Sequence, residues 1–436
     1  MTRRFALVGT GARAEMFVRA ITRDHRDTAR LVAFSDTNQH RMDVHNGWLR
    51  AAGHEPVPTY PAHELAAMLA AERVDELVVT SVDDTHAGHV VTALEAGCDV
   101  ITEKPMTVDV DGCQAILDAQ KRTGRRVSVA FNYRFNPLHE QVRELLAGGA
   151  IGELGSVHFE WLLDVRHGAD YFRRWHRDKD RSGGLLVHKA GHHFDLVNWW
   201  LGAAPAQVFA SGRLFFYGEN GRRHGYARDY ARVHGSPEAR DDPFALHLAA
   251  SPRLRELYLD AEHDDGYQRD RNVFAPGVSI EDDMAVLVRY DTGATMTYHL
   301  TAYAPWEGYR VMVNGSRGRL ELEVVESDHV SPTAAGDLKG EAVHGMTENP
   351  ERGHRRLTLH PYWQAPREIT LPPYEKGGHG GADARMTAVL LGAATDPLAR
   401  SATARDGALA LLTGLAANRS LRTGAPVRVS DLIDPT

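Results

Sequence analysis

Lys104 stands in Glu103-Lys104-Pro105, directly after the apolar run Val100-Ile101. His192 stands in Gly183-Gly184-Leu185-Leu186-Val187-His188-Lys189-Ala190-Gly191-His192-His193-Phe194-Asp195. An ammonium and an imidazole suit removal of a hydroxyl proton. The imidazole titrates near neutrality and accepts the proton, while the ammonium stabilises the oxygen left behind. Gly9-Thr10-Gly11-Ala12-Arg13-Ala14, after the apolar run Phe5-Ala6-Leu7-Val8, supplies a site for the electrons. Such a turn opening a helix cradles a pyrophosphate: Gly9 allows the tight turn, Gly11 the close backbone approach, and Ala14 the packing of helix on strand. Together these motifs point to hydride chemistry at a carbon that bears oxygen.

Asp36 ends the second apolar run, where a carboxylate accepts hydrogen bonds from both ribose hydroxyls and repels a 2′-phosphate. NAD is therefore expected, with Arg41 as the residue that keeps NADP open. Thr10, Ala12 and Arg13 of the turn belong to the expected cofactor set. So do Ser81, His86, Glu103 and Lys104, near the ends of the third and fourth strands.

His188 and His192, four apart, have a spacing that also suits zinc, but no glutamate lies between them and hydride transfer needs no metal. No metal is expected. Asp195 is expected to orient the segment. A substrate wall is expected from Arg134, Arg166, His167, Tyr171, Arg173, Arg174, Trp175 and His176, with His379 reaching in from Gly377-Gly378-His379-Gly380-Gly381. Aromatic rings stack on the apolar face of a pyranose, and guanidinium groups hold carboxylate or sulfonate through paired donors. The plain alternatives are surface ion pairs for the arginines and a simple turn for the glycines.

These residues need a scaffold that brings distant parts of the chain together. Strand and helix patterns alternate through the first 131 residues: strands near Phe5–Val8, Leu31–Phe34, Leu77–Val79, Val100–Ile101 and Arg126–Phe131, with helices between them. Unbroken apolar runs of that kind belong to a doubly wound parallel sheet covered on both faces. From residue 132 to 436 longer alternating strands appear, at Val157–Leu162, Gln207–Phe216, Met284–Tyr290, Thr295–Leu300 and Tyr309–Val313. Helices are expected near Asn136–Leu146, His192–Leu201 and Met386–Ala394. The expectation is an α/β chain: a Rossmann domain followed by an α+β domain with a large, mainly antiparallel open sheet. A polar excursion at about 218–280 interrupts it and is long enough to be functional.

The net charge of −8 gives no general nucleic-acid-binding surface, and no apolar stretch is long enough to span a membrane. Arg3-Arg4 is followed by a short strand rather than an export signal, and two cysteines make no disulfide framework, so a cytoplasmic protein is expected.

Glu103-Lys104-Pro105, the run from Gly183-Gly184 through His192, Asp195, Trp199 and Gly202, and Asn132-Tyr133-Arg134-Phe135-Asn136-Pro137 together resemble the Gfo/Idh/MocA oxidoreductase family. The resemblance covers nearly the whole chain. It implies Lys104 near the substrate hydroxyl, His192 as base, and a C-terminal sheet that commonly makes dimers or tetramers. One departure stands out: His188 replaces the aspartate usual in the catalytic segment.

The expected activity is hydride transfer from a ring carbon of a sugar, glycoside or cyclic polyol to NAD, with His188 holding a neighbouring hydroxyl. The alternative is a redox-neutral glycosidase, in which oxidation at C3 acidifies the C2 proton, the glycosidic bond leaves by elimination, water adds and the ketone is reduced again. His188 or Tyr133 would be its second base, and an acidic or sulfonated sugar a fitting substrate. A non-catalytic NAD-binding sensor is the remote alternative.

Overall fold

The computed structural model describes residues 2–331, 338–343, 349, 351–373, 378–392 and 394–433. Six parallel strands build the first sheet: β1 (Arg3–Val8), β2 (Ala29–Asp36), β3 (Thr59–Pro61), β4 (Glu76–Val79), β5 (Asp99–Thr102) and β6 (Val127–Val129). Their order is β6-β5-β4-β1-β2-β3, so the winding reverses between β1 and β4. That reversal opens a crevice at the carboxyl ends of the strands, where the glycine turn after β1 and the Glu103-Lys104-Pro105 loop after β5 both lie.

The second sheet contains β7 (Leu154–Asp164), β8 (Pro205–Arg213), β9 (Asp283–Tyr290), β10 (Thr295–Ala304), β11 (Glu307–Gly315), β12 (Gly318–Ser327) and β13 (His354–Pro361). Short edge strands at Arg367–Glu368 and Val427–Arg428 extend it to nine. All neighbours pair antiparallel except β7 and β10. Burial alternates as it should for a sheet covered on one face: Met284, Val286 and Val288 point inward, while Ala285, Leu287 and Arg289 are exposed. The helices Ala190–Leu201 and Ala404–Thr423 cover the inner face. The first is buried from Ala190 to Trp200, so its polar members His192, His193, Asp195 and Asn198 lie inside the protein with the apolar ones.

The chain does not leave the first sheet for good at residue 131. Ala402–Thr403 returns as an antiparallel edge strand on β6. The helix Ala382–Leu390 packs into the core of the first domain through Ala382 and Met386. The excursion after β8 also folds back: Leu246, Leu248, Leu254, Leu257 and Tyr258 form a small core against Ala12, Val44 and Trp48. No helix among the described residues is long and apolar enough to cross a membrane.

Candidate active site

Lys104 follows β5 in a loop held from several sides. Glu103 accepts from Arg13 Nε at 2.5 Å and from the Lys104 backbone N–H at 3.1 Å. The buried His86 ring lies between two carbonyls, with Nδ1 2.8 Å from Pro105 O and Nε2 3.2 Å from Ser81 O. His86 and Ser81, expected at the cofactor, thus also fix the lysine loop. Lys104 Nζ lies 3.3 Å from both the ring Nε2 and the carbonyl oxygen of His188. Burial lowers the proton affinity of Lys104, and the nearby Asp83 and Glu103 carboxylates oppose that shift.

His188 arrives from the other domain. Consecutive left-handed glycines, Gly183 at φ 68° and Gly184 at φ 76°, turn the chain into the short helix Leu185–His188. A side chain at Gly183 would strike Val187 at 2.7 Å. His188 Nδ1 donates to Asp83 at 2.5 Å, and its Nε2 faces His176 Nε2 at 3.0 Å. Arg174 NH2 lies 3.3 Å from that same His176 nitrogen. Burial and the neighbouring Lys104 and Arg174 charges push both imidazoles well below the ordinary histidine range, with burial the largest cause.

Asp83, His176 and His188 present ligand atoms within 4.8 Å of one another. The chemistry of the set does not fit a metal ion. Asp83 is engaged by His188 Nδ1, and the two facing nitrogens are flanked by an ammonium and a guanidinium that repel a dication. The same surroundings suit hydroxyl or carboxylate oxygens. Trp175 stacks on His176 at 3.6 Å and 21°, and Tyr171 sits edge-on to His176 and His188 at 5.6 and 5.8 Å.

His192 begins the next helical turn. Its ring stacks on Tyr133 at 4.4 Å and 14°, and its Nδ1 is buried with no hydrogen-bond partner among the described residues. Burial, then Lys104 and Lys189, holds this imidazole in its neutral, proton-accepting form. His193 turns away: its Nδ1 meets the Tyr298 hydroxyl at 2.7 Å and its ring stacks on Trp161, a packing role.

At the nucleotide edge, Gly9 has φ 88°, and a Cβ there would lie 2.4 Å from the Ser81 backbone. Asp36 accepts from Thr10 N–H at 2.5 Å, Thr10 Oγ1 at 2.8 Å and Asn38 N–H at 2.9 Å. The Ala12 N–H donates to the Tyr258 hydroxyl at 3.0 Å, so the excursion after β8 reaches over this turn. The residues therefore fit a dinucleotide: Gly9 to Ala14 at the pyrophosphate and Asp36 at the ribose. Arg41 is held by Asp265 at 2.8 Å and by the Leu257 carbonyl at 3.1 Å. Arg13, expected at the cofactor, bridges Glu103 and Asp383.

Several expected substrate residues have other occupations. Arg134 is buried in a two-bond pair with Asp195, at 2.8 and 2.6 Å, and lies 3.3 Å from Asp406. It ties the Asn132–Phe135 turn to the helix Ala190–Leu201, and this is also where Asp195 acts. Arg173 is buried and donates to the Ala169 carbonyl. Arg166 lies beside Ser331, and His167 donates to Glu307 at 2.8 Å. His379, at φ 56°, contacts Asp383 at 3.2 Å and Tyr133 at 5.8 Å between ring centres. Gly377, in the same glycine run, lies outside the described residues. Asp83, Tyr258 and Lys189 are not marked in the sequence as members of this cluster. Asp83 in Val82-Asp83-Asp84 had no motif to mark it, and Tyr258 lay in an excursion without one.

Residues 3–131 match "Oxidoreductase family, NAD-binding Rossmann fold", and residues 143–429 match "Oxidoreductase family, C-terminal alpha/beta domain". The chain belongs to the Gfo/Idh/MocA oxidoreductase family. It is 35% identical over 398 residues to the Bacillus subtilis protein named "Putative oxidoreductase YteT", covering 86% of each chain. It is 31% identical over 214 residues to an inositol 2-dehydrogenase of Rhizobium meliloti, covering 49% of this chain and 59% of that protein. An oxidoreductase domain protein from Kribbella flavida has the same fold, with a TM-score of 0.66 at 19% identity and coverage of 98% and 100%.

Within this family the expected architecture of Rossmann domain plus largely antiparallel second sheet holds, and the chain is an NAD(P)-binding oxidoreductase.

Proposed function

We propose that this family member abstracts a hydride from a ring carbon, C3, of a sugar, glycoside or cyclic polyol, with NAD as acceptor. The observation that carries the reading is the meeting of Lys104 with His188 at 3.3 Å, four residues before the neutral His192. The nicotinamide, when bound, supplies the two-electron acceptor. His192 takes the hydroxyl proton on its nitrogen, and Lys104 compensates the charge left on the oxygen. His188, fixed by Asp83 with its Nε2 turned inward, holds a neighbouring hydroxyl. Tyr171 and Trp175 form the apolar wall for a ring face. Asp36, with Arg41 already paired to Asp265, supports NAD over NADP.

The relatives named inositol 2-dehydrogenase support a polyhydroxylated ring as substrate. A redox-neutral glycoside hydrolase is the second reading. It is favoured by the excursion that closes on the cofactor turn through Tyr258 and through Arg253 to Glu15 at 2.7 Å, which suits a cofactor kept through the cycle. The Arg174–His176 pair fits an acidic sugar in either case.

The test is incubation with NAD and a panel of pyranosides and uronides, following NADH absorbance and sugar release together. NADH accumulation without cleavage supports the dehydrogenase, cleavage without net NADH supports the hydrolase, and neither signal on any ring contradicts both.

A further inference from the structure

Lys189 has no part in the reaction as derived so far, yet it is buried beside the groups that do. Its Nζ donates to the Tyr133 hydroxyl at 3.4 Å and lies 4.7 Å from the centre of the Trp161 ring. Among the described residues no carboxylate pairs with it at ion-pair distance. A buried ammonium without such a partner is costly, and a fold that keeps one has a use for its charge or for losing it.

The groups facing it come from every packed element. Glu307 on β11 and Glu326 on β12 favour its charge, and Lys104 from the loop after β5 opposes it. Its own segment contributes the neutral imidazoles of His188, His192 and His193, each with its proton affinity lowered in part by Lys189. Burial dominates, and the amine is brought down to about 8. Tyr133, the other partner, stacks on the His192 ring.

We propose that Lys189 is a positioning residue that sets the direction of the Tyr133 hydroxyl, making Tyr133 a hydrogen-bond donor to a substrate oxygen beside His192. As an ammonium, Lys189 donates to the phenol oxygen and leaves the Tyr133 proton free to point away from it. As a neutral amine, Lys189 can itself accept that proton, and the phenol then offers only a lone pair to the substrate. The proposal rests on the hydride-transfer reading for its consequence, but not for its first test.

That test titrates lysine-labelled, NAD-loaded protein by NMR, with Lys189→Met assigning the signal. A Lys189 midpoint near 8 that moves in Tyr133→Phe is expected. A midpoint with ordinary lysines, or one indifferent to Tyr133→Phe, overturns the proposal, whether or not any sugar reacts. On a pyranoside that is turned over, kcat/KM falls as pH rises through 8 in the wild type. That limb vanishes in Lys189→Arg, which stays charged. In Tyr133→Phe the limb also vanishes, and the rate below pH 8 drops about tenfold, the loss of one hydrogen bond to a charged or polar oxygen. An alkaline limb unchanged in both variants contradicts the assignment. A turnover assay with no reactive ring counts against the hydride-transfer reading, and the role of Lys189 is then decided by the titration alone.

Discussion

Asp83 Oδ2 lies 2.5 Å from His188 Nδ1, so a carboxylate of the Rossmann domain fixes a ring carried by the second domain. The contact holds His188 with Nδ1 as donor and turns Nε2 toward Lys104 and His176. The polar cluster is therefore built from both domains.

Asp83→Asn keeps the shape and removes the charge that holds this orientation. We expect kcat/KM to fall about 10- to 100-fold, the usual range for a carboxylate that orients a functional histidine. Thermal unfolding of the same sample checks that the domains still dock.

Arg134 donates from Nε and one terminal nitrogen to the two oxygens of Asp195, inside the protein. Arg134→Met leaves that carboxylate buried without its partner, so we expect a loss of about 3–5 kcal/mol in urea unfolding. KM of the folded fraction should change little. A large rise in KM with stability intact would return Arg134 to the substrate wall.

Lys189→Met should stabilise the protein. The folded amine sits at about 8 against an ordinary 10.5, so the unfolded chain binds more protons between those values. Stability rises with pH across that window, and the penalty is full below about 8. Met removes it, by about 3 kcal/mol at most at pH 7, and the gain fades toward pH 10.5. Calorimetry at pH 7 and pH 10 reads the difference.

Arg41 lies 4.0 Å from Asp36, with its guanidinium engaged by Asp265 and the Leu257 carbonyl. Asp265→Asn combined with Asp36→Ala frees the guanidinium and removes the carboxylate that repels a 2′-phosphate. The ratio of NADP to NAD affinity, read by fluorescence quenching, should rise about tenfold or more.

What could be read from the sequence follows from how local the signals are. Gly9, Gly11 and Asp36 form a contiguous strand–turn–helix–strand pattern, and the sheet built on it has the expected parallel order. The alternation in β9 likewise announces a one-sided sheet. Lys104 and the His188–His192 run are marked by their motifs, and they meet in the fold. Partners set by tertiary contact were hidden: nothing local marks Asp83, and Arg134 looks the same whether it faces a substrate or Asp195. The return of Ala402–Thr403 to the first sheet is a two-residue edge pairing with no periodicity to detect.

In the proposed reaction Lys104 and His192 act on one hydroxyl at the cofactor. Single-turnover reduction of bound NAD by a reactive pyranoside, comparing wild type with Lys104→Met and His192→Gln, reads that step alone. We expect a loss of about 10²–10³-fold or more in each variant with NAD still bound. Reduction at the wild-type rate in either variant would contradict it.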